Sequence, residues 1–293
     1  MQVIIAGGSG LLGSALARAL RADGHAVAAL TRTPRAAGDI AWDPELPGEW
    51  RAAIGSADAV VNLAGEPIAG RRWTAARKRA ILDSRLRATR ALAVAIAGSN
   101  RPPVFISGSA VGVYGPHGDE TVTEATPPGS DFLAEVCRAW EHEADAVAGR
   151  SRVVLLRTGV VLAREGGALP QMALPFSFFA GGPIASGQQY VPWIHIDDWV
   201  AMTAWAVMTA AVRGPLNVTA PHPVTNRELS GALGRALHRP SLLPAPAVAL
   251  RLALGEMADA VVNGQRVLPA KALALGFEFR YPTLDAALRA LYP

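Results

Sequence analysis

Val3-Ile4-Ile5-Ala6 runs directly into Gly7-Gly8-Ser9-Gly10-Leu11-Leu12-Gly13, and from Leu11 to Ala22 apolar residues recur at three- and four-residue spacing. A β-branched strand, a glycine turn and an amphipathic helix, in that order, open a βαβ unit that binds phosphate. The demand on the turn is steric. Gly7 allows the tight turn, Gly10 lets the backbone approach a pyrophosphate, and Gly13 permits close packing of helix on strand. The first helical amides, at Leu11 and Leu12, are then available to an anion.

The same alternation continues outward. Ala26–Leu30, Ala59–Leu63, Val104–Ser107 and Val153–Arg157 read as further strands, and Arg77–Ala97 and Asp131–Ala148 as helices, with Gly24, Gly98 and Gly149 at helix ends. Alternating strands and helices predict an α/β protein, a Rossmann-type doubly wound parallel sheet with right-handed crossovers. From Gly166 the texture changes, with Gly181-Gly182-Pro183, Pro192 and the proline-rich stretch Pro221 to Pro246. Residues 1–165 with part of 190–220 are therefore assigned to the nucleotide-binding domain, and 166–190 with 221–293 to a smaller C-terminal, substrate-side lobe.

An acidic residue after the second strand would hold the ribose hydroxyls of NAD(H). The chain instead reads Leu30-Thr31-Arg32-Thr33-Pro34-Arg35 there. Thr31 and Arg32, with Arg35 behind, suit a 2′-phosphate through charge-assisted hydrogen bonds, which favours NADP(H) over NAD(H).

Composition narrows the classes further. The 293 residues are 51% hydrophobic and 18% charged, which fits a folded α/β core and argues against disorder. The +4 net charge comes from scattered arginines without a basic run, so no nucleic-acid footprint is expected. A single cysteine, Cys137, leaves no intramolecular disulfide and fits a reducing cytoplasm. The N-terminus reads as a strand rather than a signal peptide, and no apolar run is long enough to span a membrane. The histidines show no metal-ligand spacing, so no metal site is expected.

At this point the sequence resembles the extended short-chain dehydrogenase/reductase superfamily. Three landmarks carry the resemblance: Gly7 to Gly13, Asp58-Ala-Val-Val-Asn-Leu-Ala-Gly65, and Ser107-Gly-Ser-Ala-Val-Gly-Val-Tyr-Gly115. Gly65-Glu-Pro-Ile, the Trp73 to Arg85 stretch, Asp131 to Glu141, Trp193-Ile-His-Ile-Asp-Asp198 and Asn263 to Pro269 with Gly276-Phe narrow it. Together they are similar to the atypical, YfcH-like branch labelled "epimerase family protein", with its own small C-terminal domain. The resemblance implies that Asn62, Leu63, Ala64, Gly65 and Glu66 pass beneath the cofactor's adenosine and ribose. It implies a catalytic serine at Ser109, with Ser107 as a close competitor for that role and as a cofactor-binding residue. Tyr114 stands in the superfamily's Val-Tyr-Gly turn and is the tyrosine available as acid or base.

One departure bears on function. Superfamily enzymes pair a tyrosine with a lysine four residues on, and the lysine lowers the tyrosine pKa. Here the corresponding positions hold Leu133 and Cys137, and Asp131 to Gly149 contains neither tyrosine nor lysine. Arg85, four residues before Thr89, takes the place of an earlier-helix asparagine; it contacts the nicotinamide ribose or a pyrophosphate oxygen, or else lies on an exposed helix face. Cys137 reads as a core residue. His195 reads as a proton donor or, in the structural reading that the stretch favours, as part of a strand leading into a helix capped by Asp197 or Asp198. Gly181-Gly182-Pro183, Gln188 and Arg266 are candidates for lining a substrate cleft. Two functions follow: an NADP(H)-dependent oxidoreductase or epimerase-like enzyme with an atypical site and a small-molecule substrate, or a non-catalytic NADPH sensor.

Overall fold

The structure is a computed structural model, describing residues 1–34, 38–70 and 72–293, with 253 and 254 described by backbone only. Arg35 lies outside the described residues. Seven strands form one parallel sheet: β1 (Gln2–Ala6), β2 (Ala26–Thr31), β3 (Ile40–Ala41), β4 (Ala59–Asn62), β5 (Val104–Ala110), β6 (Val153–Thr158) and β7 (Gly214–Val218). Their spatial order is β3-β2-β1-β4-β5-β6-β7, so the order reverses between β1 and β4, where open α/β sheets bind ligands at the carboxyl ends of their strands.

Strand side chains alternate between two apolar layers, and the helices cover both. Val3, Ile5, Val61 and Ile106 pack against α1 (Leu11–Ala22) and α6 (Ile196–Met208) through Leu16, Leu20, Trp199 and Met202. Ile4, Val60 and Phe105 face the other way, onto α2 (Trp50–Ser56), α3 (Ala75–Ala97) and α4 (Phe132–Asp145). Burying both faces requires near-continuous apolar strands, which is what Val-Ile-Ile and Ala-Val-Val supply. The long helices start at side-chain caps: Thr74 Oγ1 accepts from the Arg77 amide, and Asp131 Oδ1 from the Ala134 amide at 2.8 Å.

A third apolar cluster joins α5 (Leu169–Ser177), α7 (Asn226–Leu237) and the terminal helix Leu284–Leu291, through Leu169, Phe176, Leu229, Leu233, Leu284 and Leu288. It also takes in Leu162 and Trp193. The cluster draws on three separated stretches of the chain, α5, α7 and the terminal helix. Asp198, on α6, accepts from the amides of Arg280 and Tyr281 at 2.8 and 2.9 Å, which fastens the C-terminal stretch to the sheet layer. No helix among the described residues is long and apolar enough to cross a membrane.

Candidate cofactor and substrate site

Gly7 sits at φ +80°, and a Cβ there would come within 2.9 Å of the Leu63 carbonyl group. A Cβ on Gly13 would lie 2.3 Å from the Gly7 oxygen. Both positions therefore exclude any side chain, the first by backbone conformation and contact, the second by contact alone. At Gly10 the nearest atom to a new Cβ is the Gly7 oxygen at 3.3 Å, and the residue is exposed. Gly10 is the N-cap of α1 and offers no side chain, so the opening of that helix presents its amides outward at the carboxyl edge of β1. Leu11 and Leu12 are half-buried beside it, and Leu11 packs over Gly166 and Gly167 of the following lobe.

Across the switch point, Asn62 closes the end of β4. Its Nδ2 donates to Thr89 Oγ1 at 2.8 Å, while its Oδ1 accepts from the Ala64 amide at 3.2 Å. The chain leaves the sheet through Leu63, Ala64 and Gly65 in a fixed direction. Arg85 lies directly under Gly65, where a Cβ would be 3.2 Å from the guanidinium. Arg85 is 7% exposed, so the reading that places it on an exposed helix face is corrected. Its Nη1 donates to the carbonyls of Glu66 and Ile81, both at 3.0 Å, its guanidinium stacks over Trp140 at 5.1 Å, and burial draws its pKa down. Glu66 is held as well, by Arg77 at 2.9 Å and, through its amide, by Ser84. At the end of β2, Thr31 Oγ1 accepts from the Thr33 amide, whereas Arg32 extends into solvent.

Ser107 is fully buried on β5, beside Asn62 in the ladder. Two residues on, Ser109 donates to Glu141 Oε1 at 2.6 Å. Glu141 in turn receives both arms of Arg157, Nε at 2.9 Å and Nη2 at 2.8 Å. Arg157 Nη1 donates to the Tyr114 hydroxyl at 3.0 Å, and that hydroxyl donates to Asn217 Oδ1 at 2.6 Å. Asn217 Nδ2 then reaches the Leu268 carbonyl, while its amide donates to Glu124, which also accepts from the Lys271 amide. Burial raises the Tyr114 pKa against the opposing pull of Arg157 and Asn217. Burial works against the Arg157 charge, yet its bonds to Glu141 prevail and the net shift is upward.

The sequence alone does not reveal this chain of contacts: there Glu141 is the end of the Asp131 to Glu141 stretch and Arg157 the end of a strand. A signal was present: both are charged residues at positions that periodicity assigns to a buried face. Cys137 is buried, and its thiol is pushed up to about 12 by burial, which suits a core residue and not a nucleophile. His195, not an aspartate, caps α6: its Nδ1 accepts from the Asp197 amide at 3.0 Å, and Asp197 and Asp198 already lie within the first helical turn. In the second lobe, Gly182 packs so closely on Leu243 that a Cβ would meet its oxygen at 2.1 Å. Gln188 is exposed, and Arg266 is exposed with its guanidinium 5.4 Å over the Tyr190 ring.

Residues 3–218 match the model of the NAD dependent epimerase/dehydratase family. The chain belongs to that family. Residues 245–291 match a second model, a domain of unknown function, DUF1731. An Arabidopsis thaliana relative, the chloroplastic homolog of epimerase family protein SDR39U1, is 44% identical over 99% of this chain and 86% of its own length. The crystal structure of human epimerase family protein SDR39U1 (isoform2) with NADPH superposes with a TM-score of 0.91 at 37% identity, covering 100% of this chain and 99% of that one. A nucleoside-diphosphate sugar epimerase from Corynebacterium glutamicum aligns at 36% identity and a TM-score of 0.84, over 100% of this chain and 58% of its own. The segment Phe-Leu-Ala-Glu-Val-Cys-Arg-Ala-Trp-Glu-His-Glu-Ala-Asp of α4 contains no tyrosine and no lysine.

Proposed function

We propose that this family member binds NADP(H) along the Gly7 to Gly13 turn and acts as an oxidoreductase or epimerase-like enzyme on a small-molecule carbonyl or alcohol. The observation that carries the reading is the turn at the switch point, where Gly7 and Gly13 admit no Cβ and the start of α1 has no side-chain cap. The human relative solved with NADPH, similar over the whole chain, supports the choice of cofactor. In this reading Gly7, Gly10, Leu11, Leu12 and Gly13 hold the pyrophosphate, Thr31 and Arg32 the 2′-phosphate, and Leu63, Ala64, Gly65, Glu66 and Ser107 the adenosine and ribose side. Arg85 supports that wall from beneath by gripping the Glu66 carbonyl. When bound, the nicotinamide supplies or accepts a hydride.

Proton transfer is assigned to bound water rather than to Ser109 or Tyr114. Both hydroxyls are already spent on Glu141 and Asn217, and burial keeps the tyrosine protonated. The two residues then act as positioning residues, holding the end of β5 and the Val111–Tyr114 turn against α4 and β6.

The test is a titration with NADPH and NADH on wild type and Arg32→Ala, followed by a carbonyl panel monitored for NADPH oxidation. Arg32→Ala should lose about 1.5–3 kcal/mol of NADPH binding, the worth of a charged hydrogen bond, and leave NADH nearly unchanged. Equal losses for both nucleotides would remove the 2′-phosphate assignment, and no binding of either would remove the whole reading.

A further inference from the structure

Helices α5 and α7 end side by side. The amides of Phe179 and Ala180 donate to the Phe176 and Pro175 carbonyls at the end of α5, and those of His238 and Arg239 to the Arg235 and Gly234 carbonyls at the end of α7. One residue past each helix the backbone turns left-handed, at Phe179 with φ 58° and at His238 with φ 53°. Glycine ordinarily fills that position, because an L side chain resists a left-handed backbone. The two ends touch: the Arg239 guanidinium lies 4.8 Å over the Phe179 ring. Just beyond them the Gly181 carbonyl accepts from the amides of Leu242 and Leu243, both at 3.0 Å.

One aromatic ring of this region serves the core. Phe176 is buried in the third apolar cluster, so close to Gly181 that a Cβ there would lie 2.3 Å from its ring. Phe178 and Phe179 instead are 74% and 60% exposed, and Leu174, Leu242 and Leu243 are exposed with them. Exposed Phe179 adds no core packing that would offset its strained backbone. Large apolar side chains gathered on a surface mark a place of contact.

Charge selects what makes that contact. Gly166 to Ile196 contains no Asp, Glu, Lys or Arg, and Leu229 to Gly255 contains Arg235, Arg239 and Arg251 but no acid. Arg235 pairs with Asp285 and Arg251 with Asp259, whereas Arg239, at the patch itself, has no carboxylate partner among the described residues. A second copy related by a two-fold axis would set this patch, with its uncompensated cation, against the same patch. An anionic bilayer offers phosphates to the arginine and an apolar boundary to the phenylalanines and leucines.

We propose that the joined ends of α5 and α7, with Leu242 and Leu243, dock this protein on the surface of an anionic lipid bilayer. The apolar side chains enter the headgroup boundary and Arg239 pairs with lipid phosphate. This is contact from one side and not a span, for which no helix among the described residues is long and apolar enough. It does not depend on the cofactor reading, whose residues belong to the turn before α1 and the ends of the sheet strands.

Sedimentation of the full chain with vesicles of phosphatidylglycerol and phosphatidylcholine, against vesicles of phosphatidylcholine alone, tests the proposal. The anionic vesicles should bind at least about fivefold more tightly, by an amount that shrinks as salt is raised. Phe179→Gly suits the left-handed position, so it should melt no lower than wild type yet weaken binding about fivefold. Adding Phe178→Ser should bring the loss to at least about tenfold, with NADPH affinity unmoved. Arg239→Gln should weaken binding to anionic vesicles about fivefold and hardly change binding to neutral ones. Val94→Ser, at an exposed apolar residue of α3, should bind like wild type. No preference for anionic vesicles, or an affinity that the phenylalanine double variant leaves unmoved, overturns the proposal. A dimer in light scattering that the double variant dissociates, with vesicles left unbound, assigns the patch to a second copy and overturns it as well.

Discussion

Glu141 holds Arg157 with both carboxylate oxygens, at 2.9 and 2.8 Å, and the two side chains are 10% and 6% exposed. Removing one member strands the other charge in the interior, whereas replacing both by apolar residues removes the burden of desolvation. Arg157→Ala is expected to cost about 3–5 kcal/mol in urea unfolding. The double variant Glu141→Leu with Arg157→Met should recover most of that loss. A double variant as unstable as the single one would show that the pair is not the source.

The glycine turn separates folding from binding. Gly13→Ala forces a Cβ to within 2.3 Å of the Gly7 oxygen and should cost about 1–3 kcal/mol of stability through overpacking. Gly10→Ala meets only the same oxygen at 3.3 Å and should melt close to wild type while losing most of its NADPH affinity. Thermal melts with parallel NADPH titrations check both; a Gly10→Ala protein that binds normally would show that the pyrophosphate lies elsewhere.

Tyr114→Phe deletes the hydroxyl shared by Arg157 and Asn217. Stability should fall by about 1–3 kcal/mol, because the buried Asn217 Oδ1 loses its donor and Arg157 Nη1 keeps only the Glu124 carbonyl at 3.5 Å. If Tyr114 only positions, any NADPH oxidation will keep the pH profile of wild type. Loss of an alkaline or acid limb in the variant would make the phenol a proton donor after all.

His195 gives a pH signature. It is buried, its Nε2 has no hydrogen-bond partner, and its ring lies 4.0 Å from that of Tyr281. Burial lowers its pKa below the ordinary 6.5, with Asp197, Asp198 and Glu165 pulling upward and Arg280 downward. Above 6.5 neither the folded nor the unfolded state is protonated at this ring, and the group is neutral with respect to pH. Below it the unfolded state takes up the proton first, so stability falls with falling pH until the folded-state pKa is passed. His195→Asn, which keeps a capping oxygen, should therefore flatten the decline in melting temperature between about pH 7 and 5. An identical decline in both proteins would place the titration elsewhere.

The Rossmann half was readable because its signals are local: β-branched runs, glycines that end helices, and a turn whose steric demands fall within seven residues. β5 runs past its expected end at Ser107 to Ala110, because Gly108, Ser109 and Ala110 continue the ladder with Leu156, Arg157 and Thr158 of β6. The two-residue β3 carries too few residues for any period, and β7, Gly-Pro-Leu-Asn-Val, is disguised by a proline at the sheet's edge. The site was half legible. The glycine turn and Asn62 to Gly65 are contiguous, whereas Glu141, Arg157, Tyr114 and Asn217 come from four elements and only the folded chain brings them together.

Asn217 and Glu124, at the heart of the sheet-side chain of contacts, end on the backbone of Leu268 and Lys271, and Asp198 ends on that of Arg280 and Tyr281. The interior polar groups of the first matched region are thus satisfied by the main chain of the second, whatever side chains the second carries. Cutting the protein near residue 245 would strip the Asn217 side-chain amide and the buried Asp198 carboxylate of these partners and leave Glu124 only the Asn217 amide, so the stability of the first region is tied to the presence of the second.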